Sequence, residues 1–362
     1  MDPMNDKTGT KRAILEQAIQ AVAQETGVRL QITGQEVPME GQTIDAILRI
    51  DGSEREIPAE IKNWAQHANL GALIHRVQQL PQQGMLVADY VNPRMADRLR
   101  KQGIQFIDAA GNAYIDQPPV YVYVTGRRQQ RHPFMPPREG AGRAFEPKGL
   151  QVVFAFLCHP ELVNAPYREI AARAGVAVGT VGWIVNGLKA AGFIREGGAH
   201  KRRRLVHCPR LLARWVEAYP EKLRPKLSMG EFAADDPHWW QGIDVTAYGG
   251  CWGGEVAADR YTEGYLRPQV ATLYLPEQAR TRLLRDARLQ KATEWSGTQA
   301  AKVVVYRPFW PERPTADDTV CKDGLVHPVL AYADLIATAE PRNLEAARKI
   351  HDQYIARYCR ED

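Results

Sequence analysis

Residues 166–208 read PYREIAARAGVAVGTVGWIVNGLKAAGFIREGGAHKRRRLVHC, and the rest of the chain is organised around this stretch. The spacing predicts a short helix over 167–174 that stops at Gly175, then a small apolar turn, Val176-Ala177-Val178. A second helix follows over 179–191. Ile170, Ala171 and Ala174, then Val181, Ile184, Val185 and Leu188, recur at helical spacing and can close on one small core. After Gly192 come the apolar pair Phe193-Ile194, a glycine turn at Gly197-Gly198, the basic run 201–204 and the apolar pair Leu205-Val206. That pattern predicts two short strands around a basic tip.

A helix-turn-helix followed by a basic hairpin resembles a winged helix. In such modules the second helix enters the DNA major groove and the wing contacts phosphates. The outward positions of the second helix are Thr180, Trp183, Asn186 and Lys189. Arg195, Lys201, Arg202, Arg203 and Arg204 are the expected phosphate contacts. The plain alternative is a helical hairpin packed on another domain beside a solvated charge run. Turn glycine, helical period and basic wing agree with one another, which a chance charge run does not require. Double-stranded DNA is therefore the expected partner, and this binding requires no cofactor.

The chain of 362 residues has room for two or three domains. Its 44% hydrophobic and 25% charged residues are those of an ordinary globular protein. A net charge of +5 favours an anionic partner, though local clustering says more than the total. The cysteines, Cys158, Cys208, Cys251, Cys321 and Cys359, are scattered and odd in number, with no Cys-x-x-Cys pair. This argues against a disulfide framework and against a structural zinc site. No signal peptide and no membrane-length apolar run is apparent, so a cytoplasmic protein without a membrane partner is expected.

Towards the amino end, residues 11–26 predict an amphipathic helix with Ile14, Leu15, Ala18, Ile19 and Val22 on one face. Residues 28–32 read as a strand. Residues 43–50 (TIDAILRI) and 55–62 (REIPAEIK) flank Asp51-Gly52-Ser53 and predict a hairpin, with Pro58 limiting the ladder. Glu60 and Lys62 share one face of the second strand, and Asp45 on its partner can face the same side. Two carboxylates suit Mg2+ or Mn2+, and a lysine beside them suits orientation of an attacking water. Asp45 followed by Glu60-x-Lys62 resembles the core of the PD-(D/E)XK nuclease superfamily. That resemblance, over about 11–124, implies a metal-dependent endonuclease with Asp45, Glu60 and Lys62 catalytic and Asp45 and Glu60 on the metal. Ile44 stands where the family usually has proline before the first carboxylate, and an upstream acid would be Glu16 or Glu25. The alternatives are a hairpin with a solvated charged face, or a nuclease-like domain that only binds DNA. Segments 68–80, 84–91, 93–102, 103–108 and 113–116 continue as helix, strand, helix, strand and strand, a mixed sheet covered on both faces.

Residues 126–149 are rich in proline, glycine and arginine and read as a linker. Within it Arg127, Arg128, Arg131, Arg138 and Arg143 suit DNA phosphates or a solvated tether equally. The last third carries glycines around Trp252, but no Gly-Lys-Ser/Thr follows, which excludes a Walker loop. The double glycines read as permitting a tight approach before a helix. Glu255, His327 and Asp334 have no nucleophile beside them.

Two long segments, WGGEVAADRYTEGYLRPQVATLYL at 252–275 and GLVHPVLAYADLIATAEPRNLEAARKIHDQYIARY at 324–358, resemble the AbiEi antitoxins of type IV toxin–antitoxin systems. The resemblance spans about 242–358. It implies a winged helix that represses the system's own operon. It also implies a carboxy-terminal domain that counters a nucleotidyltransferase-like toxin, a functional partner rather than a stable one. The chain departs from the family by placing a nuclease-like domain first. The expected organisation is α/β and multidomain, with a restriction-endonuclease-like domain over 1–125, the linker 126–149, a winged helix over 150–225 and an AbiEi-like α/β domain over 226–362. Binding to inverted repeats makes a homodimer on DNA the expected form. A nuclease and an architectural DNA binder are the competing functions.

Overall fold

Apolar residues at alternate positions, Ala46, Leu48 and Ile50 with Ile57, Ala59 and Ile61, turn one face of a sheet toward a helix. The computed structural model describes residues 3–39, 42–62, 70–80, 82–127, 143–197, 202–292, 301–311, 320–357 and 359. The chain is a multidomain α/β protein of two compact units, Met1–Pro136 and Pro137–Asp362. The boundary falls inside the stretch read as a linker.

In the first unit α1 (Pro3–Thr26) precedes β1 (Leu30–Met39), β2 (Gln42–Ile50), β3 (Glu56–Lys62), α2 (Leu70–Gln78), β4 (Met85–Ala88), α3 (Pro93–Lys101), β5 (Gln105–Asp108), β6 (Ala113–Gln117) and β7 (Val120–Val124). The seven strands lie in chain order in one sheet. The outer pairs are antiparallel, while β3, β4 and β5 run parallel. Each parallel step needs a crossover, and α2 and α3 supply them. Ile14, Leu15, Ala18 and Val22 of α1 join one core with Ala46, Leu48, Ala59, Ile61, Val87 and Ile107. Because strand side chains alternate, Glu60 and Lys62 project from the other face. Central strands β4 and β5 are buried throughout, as parallel strands covered on both sides must be. Strand β7 has no counterpart in the sequence expectations.

In the second unit α4 (Pro147–Cys158), α5 (Tyr167–Ala174), α6 (Val178–Ala190), β8 (Ile194–Gly197), β9 (Arg202–Leu205) and α7 (Cys208–Ala218) come first. A π-helical turn at Tyr219–Leu223 leads into α8 (Arg224–Leu227). Then follow β10 (Ser228–Ala234), β11 (Cys251–Gly253), α9 (Gly254–Tyr261), β12 (Val270–Tyr274), α10 (Arg280–Asp286), β13 (Gln290–Lys291), β14 (Ala301–Tyr306), β15 (Cys321–Lys322), β16 (Leu325–Val326), α11 (Pro328–Thr338) and α12 (Pro341–Ile350). The large sheet has the order β13-β10-β14-β12-β11-β16-β15.

Residues 150–225 and 226–362, read above as two domains, lie together in this second unit. Their aromatic residues form one column: Phe154 stacks on Trp215 at 5.3 Å, Trp215 on Tyr219 at 4.9 Å, and Phe309 meets Phe154 at 5.0 Å. Trp215 Nε1 donates to Leu150 O, and Gln151 Nε2 to Phe309 O. The glycines around Trp252 allow close packing. A Cβ at Gly253 would lie 2.7 Å from the Tyr274 ring and 2.8 Å from Asp334 Oδ2.

The cysteine expectation is corrected. Cys208 bonds Cys359 and Cys251 bonds Cys321, with Cys158 outside both pairs. The partners lie 151 and 70 residues apart, so only the tertiary fold brings them together and no local spacing announces them. Among the described residues no single helix is long and apolar enough to cross a membrane.

Candidate nucleic-acid interface

Helices α5 and α6 meet at 99°, the angle of a helix-turn-helix. Gly175 makes the corner. It closes α5 in the left-handed region at φ +64°, and a Cβ there would lie 3.2 Å from Phe309 O. Both the conformation and the space favour glycine. Val181, Ile184, Val185 and Leu188 of α6 are buried, which leaves the opposite face outward. That face carries Trp183, 66% exposed, with Asn186 exposed and Thr180 half-buried. Gly179 is exposed on the same side, with open space where a Cβ would stand. The amino end of α6 has no side-chain cap.

Strands β8 and β9 pair antiparallel, Arg195 opposite Arg204 and Gly197 opposite Arg202. Period-two alternation divides the basic run. Arg195, Arg202 and Arg204 are exposed. Arg203 turns inward: its Nη2 donates to Ala165 O at 2.9 Å, and its guanidinium sits 5.1 Å from the centre of the Tyr167 ring. Asn164 grips the same residue's backbone, Nδ2 donating to Arg203 O at 2.6 Å and Oδ1 accepting from Arg203 N at 2.8 Å. An asparagine amide thus stands where a third strand would lie. Arg203 and Asn164 fasten the hairpin to the start of α5. Lys189 pairs with Glu196 and ties α6 to the hairpin as well.

Other basic residues are placed differently. Arg127 anchors the end of the first unit, pairing with Glu25 at 2.5 Å while its backbone exchanges hydrogen bonds with the Asn112 side chain. Lys201, Arg128, Arg131 and Arg138 lie outside the described residues, as does the side chain of Arg143.

The fold also brings Asp45, Glu60 and Lys62 to one end of β2 and β3. Asp45 follows the last ladder pair, Ala46 with Ala59, and its Oδ2 accepts from Ile61 N at 2.8 Å, replacing a backbone acceptor. Its Oδ1 pairs with Lys11 Nζ of α1 at 2.5 Å. Glu60 is almost fully buried; its Oε1 lies 2.7 Å from Arg76 Nη2 of α2 and 3.4 Å from Lys62 Nζ. Burial works against its charge, but Arg76, Lys62 and Lys11 outweigh that and hold Glu60 below the usual carboxylate range. Neither candidate upstream acid reaches the cluster: Glu16 pairs with Arg12 on the exposed side of α1, and Glu25 with Arg127. Two carboxylates already matched by three cations do not fit a divalent ion as they stand. Among the described residues no group of three His, Cys, Asp or Glu could hold a metal. The sequence reading missed Lys11 and Arg76, which come from helices remote in sequence and carry no motif.

In the second unit the acidic residues are engaged in packing. Glu255 pairs with Arg342 at 2.5 Å and accepts from Asn343 and the backbone of Gln269. Asp334 accepts from Tyr274, Tyr219 and Gly254 N beside Arg224. His327 caps α11, its Nδ1 accepting from Val329 N, and burial together with His159 lowers its pKa to about 3.

Residues 204–356 match a known family. Its model is that of the AbiEi antitoxins, transcriptional regulators of type IV toxin–antitoxin systems. The match begins within β9, so it takes in the end of the basic hairpin, all of α7 and the large sheet of the second unit. No curated protein and no solved structure matches the chain significantly. The carboxy-terminal part is thus similar to antitoxin-type transcriptional regulators.

Proposed function

We propose that this protein is a DNA-binding transcriptional regulator of the antitoxin type, with 147–208 acting as a winged helix. Helix α6 enters the major groove, presenting Thr180, Trp183 and Asn186 to base edges. Arg195, Arg202 and Arg204 contact phosphates. The observation that carries the reading is the 99° helix pair with an exposed tryptophan on its outward face, flanked by a basic hairpin inside which the AbiEi match begins. The family likeness suggests repression of the protein's own operon and a toxin as functional partner. Two copies on an inverted repeat suit such a regulator.

The deciding experiment is footprinting of the purified protein on the DNA upstream of its own gene beside a scrambled duplex. The expectation is a protected inverted repeat and tighter binding to the native duplex. Equal binding to both at raised salt would leave only an architectural DNA binder. The competing reading, metal-dependent cleavage of DNA, would need Asp45 and Glu60 to give up the cations they already hold. Plasmid nicking in Mg2+ or Mn2+ that disappears in Glu60→Ala would establish it.

A further inference from the structure

We infer that α6 selects adenine and thymine, so that each operator half-site is a short core of A·T pairs, with Asn186 on an adenine and Trp183 on a thymine methyl. This preference presupposes α6 in the major groove, as proposed above, and names the bases it reads there. In that groove guanine is read mostly by arginine or lysine and cytosine by carboxylates. Adenine takes an asparagine or glutamine amide, and thymine takes an apolar group against its methyl. Helix α6, VGTVGWIVNGLKA, has no arginine and no acid, and Lys189 is its one charged residue. Lys189 lies in the last turn, whereas the amino-terminal part of such a helix meets the base edges. Its ammonium is also paired with Glu196 of the hairpin, which cancels its charge. The readers of a G·C pair are thus missing from the part of α6 that would reach bases.

The readers of an A·T pair are present and exposed. Trp183 and Asn186 lie three residues apart, so they are neighbours on one face, and Val178, 45% exposed, adds a second apolar group at the start of the helix. An asparagine side chain is short and reaches a base only if the helix backbone comes close. Gly179, Gly182 and Asn186 follow one stripe at spacings of three and four, and a Cβ at Gly179 would meet open space. Two glycines therefore clear the approach on the amino-terminal side of Asn186. Thr180 can hydrogen-bond to any of the bases and does not decide between them. The exposed arginines of this module stand elsewhere. Arg195, Arg202 and Arg204 belong to the hairpin, and Arg168 opens α5, the helix that crosses the DNA backbone in such a pair. Phosphate contacts from these positions carry no sequence.

The test is selection of bound duplexes from a random-sequence library by the full chain, followed by base analogues placed in the selected site. A core of A·T pairs in each half-site is expected. Uracil in place of the core thymine removes only the methyl and weakens wild-type binding about fourfold. Deazaadenine, which lacks the N7 acceptor, weakens it roughly 5- to 100-fold in place of the core adenine. Trp183→Ala abolishes the uracil effect alone and Asn186→Ala the deazaadenine effect alone. Both side chains are exposed, so neither change opens the core. A selected core of G·C pairs would overturn the inference and leave the winged helix standing. So would an A·T core that tolerates both analogues, or one whose analogue effects persist in the variants. Binding with no enriched sequence would overturn it together with the regulator, and failure to bind any duplex would remove the winged-helix reading itself.

Discussion

Splitting the basic run of β9 separates two roles that its sequence presents as one. Arg202 and Arg204 point outward, while Arg203 is turned under the hairpin onto Ala165 O and the Tyr167 ring. Each phosphate contact contributes roughly 0.9 to the slope of log affinity against log salt. Arg202→Ala with Arg204→Ala therefore lowers the slope by about 1.8, and over a fourfold change in salt the double variant loses roughly tenfold less affinity than the wild type. The loss at low salt is the same for native and scrambled duplexes, because phosphates carry no sequence. Arg203→Ala acts on stability instead. A charge-assisted hydrogen bond and a half-buried cation–π contact together contribute about 1–2 kcal/mol, which lowers Tm by a few degrees. Its salt slope stays near that of the wild type. Fluorescence anisotropy titrations on both duplexes across a salt series, beside thermal melts, measure all of this. A double variant with an unchanged slope, or an Arg203→Ala protein whose slope falls as far as the double variant's, would refute the assignment of these side chains.

Gly179→Ala on the outward face of α6 meets open space and should raise stability by about 0.5–1 kcal/mol, yet weaken operator binding by crowding the helix face; tighter binding by this variant would contradict a groove-facing α6. Neutral His327 has a folded pKa of about 3 against an ordinary 6.5, so its contribution is complete above about pH 6.5 and is lost as pH falls towards 3. At about pH 5 the loss from this residue is roughly 2 kcal/mol in urea unfolding, and His327→Asn, which can still cap α11 but does not titrate, removes that pH dependence. Thiol titration in denaturant gives one thiol per chain before reduction, that of Cys158, and the full five afterwards. Loops of 151 and 70 residues make the bridges worth about 4–5 kcal/mol each, so Cys208→Ser lowers the unfolding midpoint markedly under oxidising conditions and little under reducing ones.

Elements with a strong local period were legible in the sequence. The expected helix at 167–174 is α5 to the residue, and β2 and β3 form the expected antiparallel hairpin. What stayed hidden depends on long-range partners. Strand β10 starts directly from α8 through Ser228-Met229-Gly230, with no turn signal, and it is a strand because β14 and β13 hold it. Strands β15 and β16 are two residues each, too short to show any period. At the sites, residue types and faces were readable but side-chain partners were not. Arg203 among its arginine neighbours, Lys189 beside Glu196 and Lys11 against Asp45 are each distinguished only by what the fold places opposite them.

The joint between the helical module and the large sheet has a functional consequence. Helix α7 begins at Cys208, three residues beyond the hairpin's last strand, and continues through the π-helical turn to Arg224. Along that path Trp215 holds α4, the Tyr219 hydroxyl meets Tyr274 of β12 at 2.5 Å, and Arg224 reaches Asp334 of α11 at 3.5 Å. Trp215, Tyr219, Tyr274 and Asp334 are buried and Arg224 is half-buried, and a charge or hydroxyl removed from one of them strands its partners where little water can solvate them. The contacts are therefore kept together or lost together. Helix α7 carries the base of the basic hairpin, so a ligand or partner on the AbiEi-like sheet would lie one packed element away from the surface proposed to hold DNA.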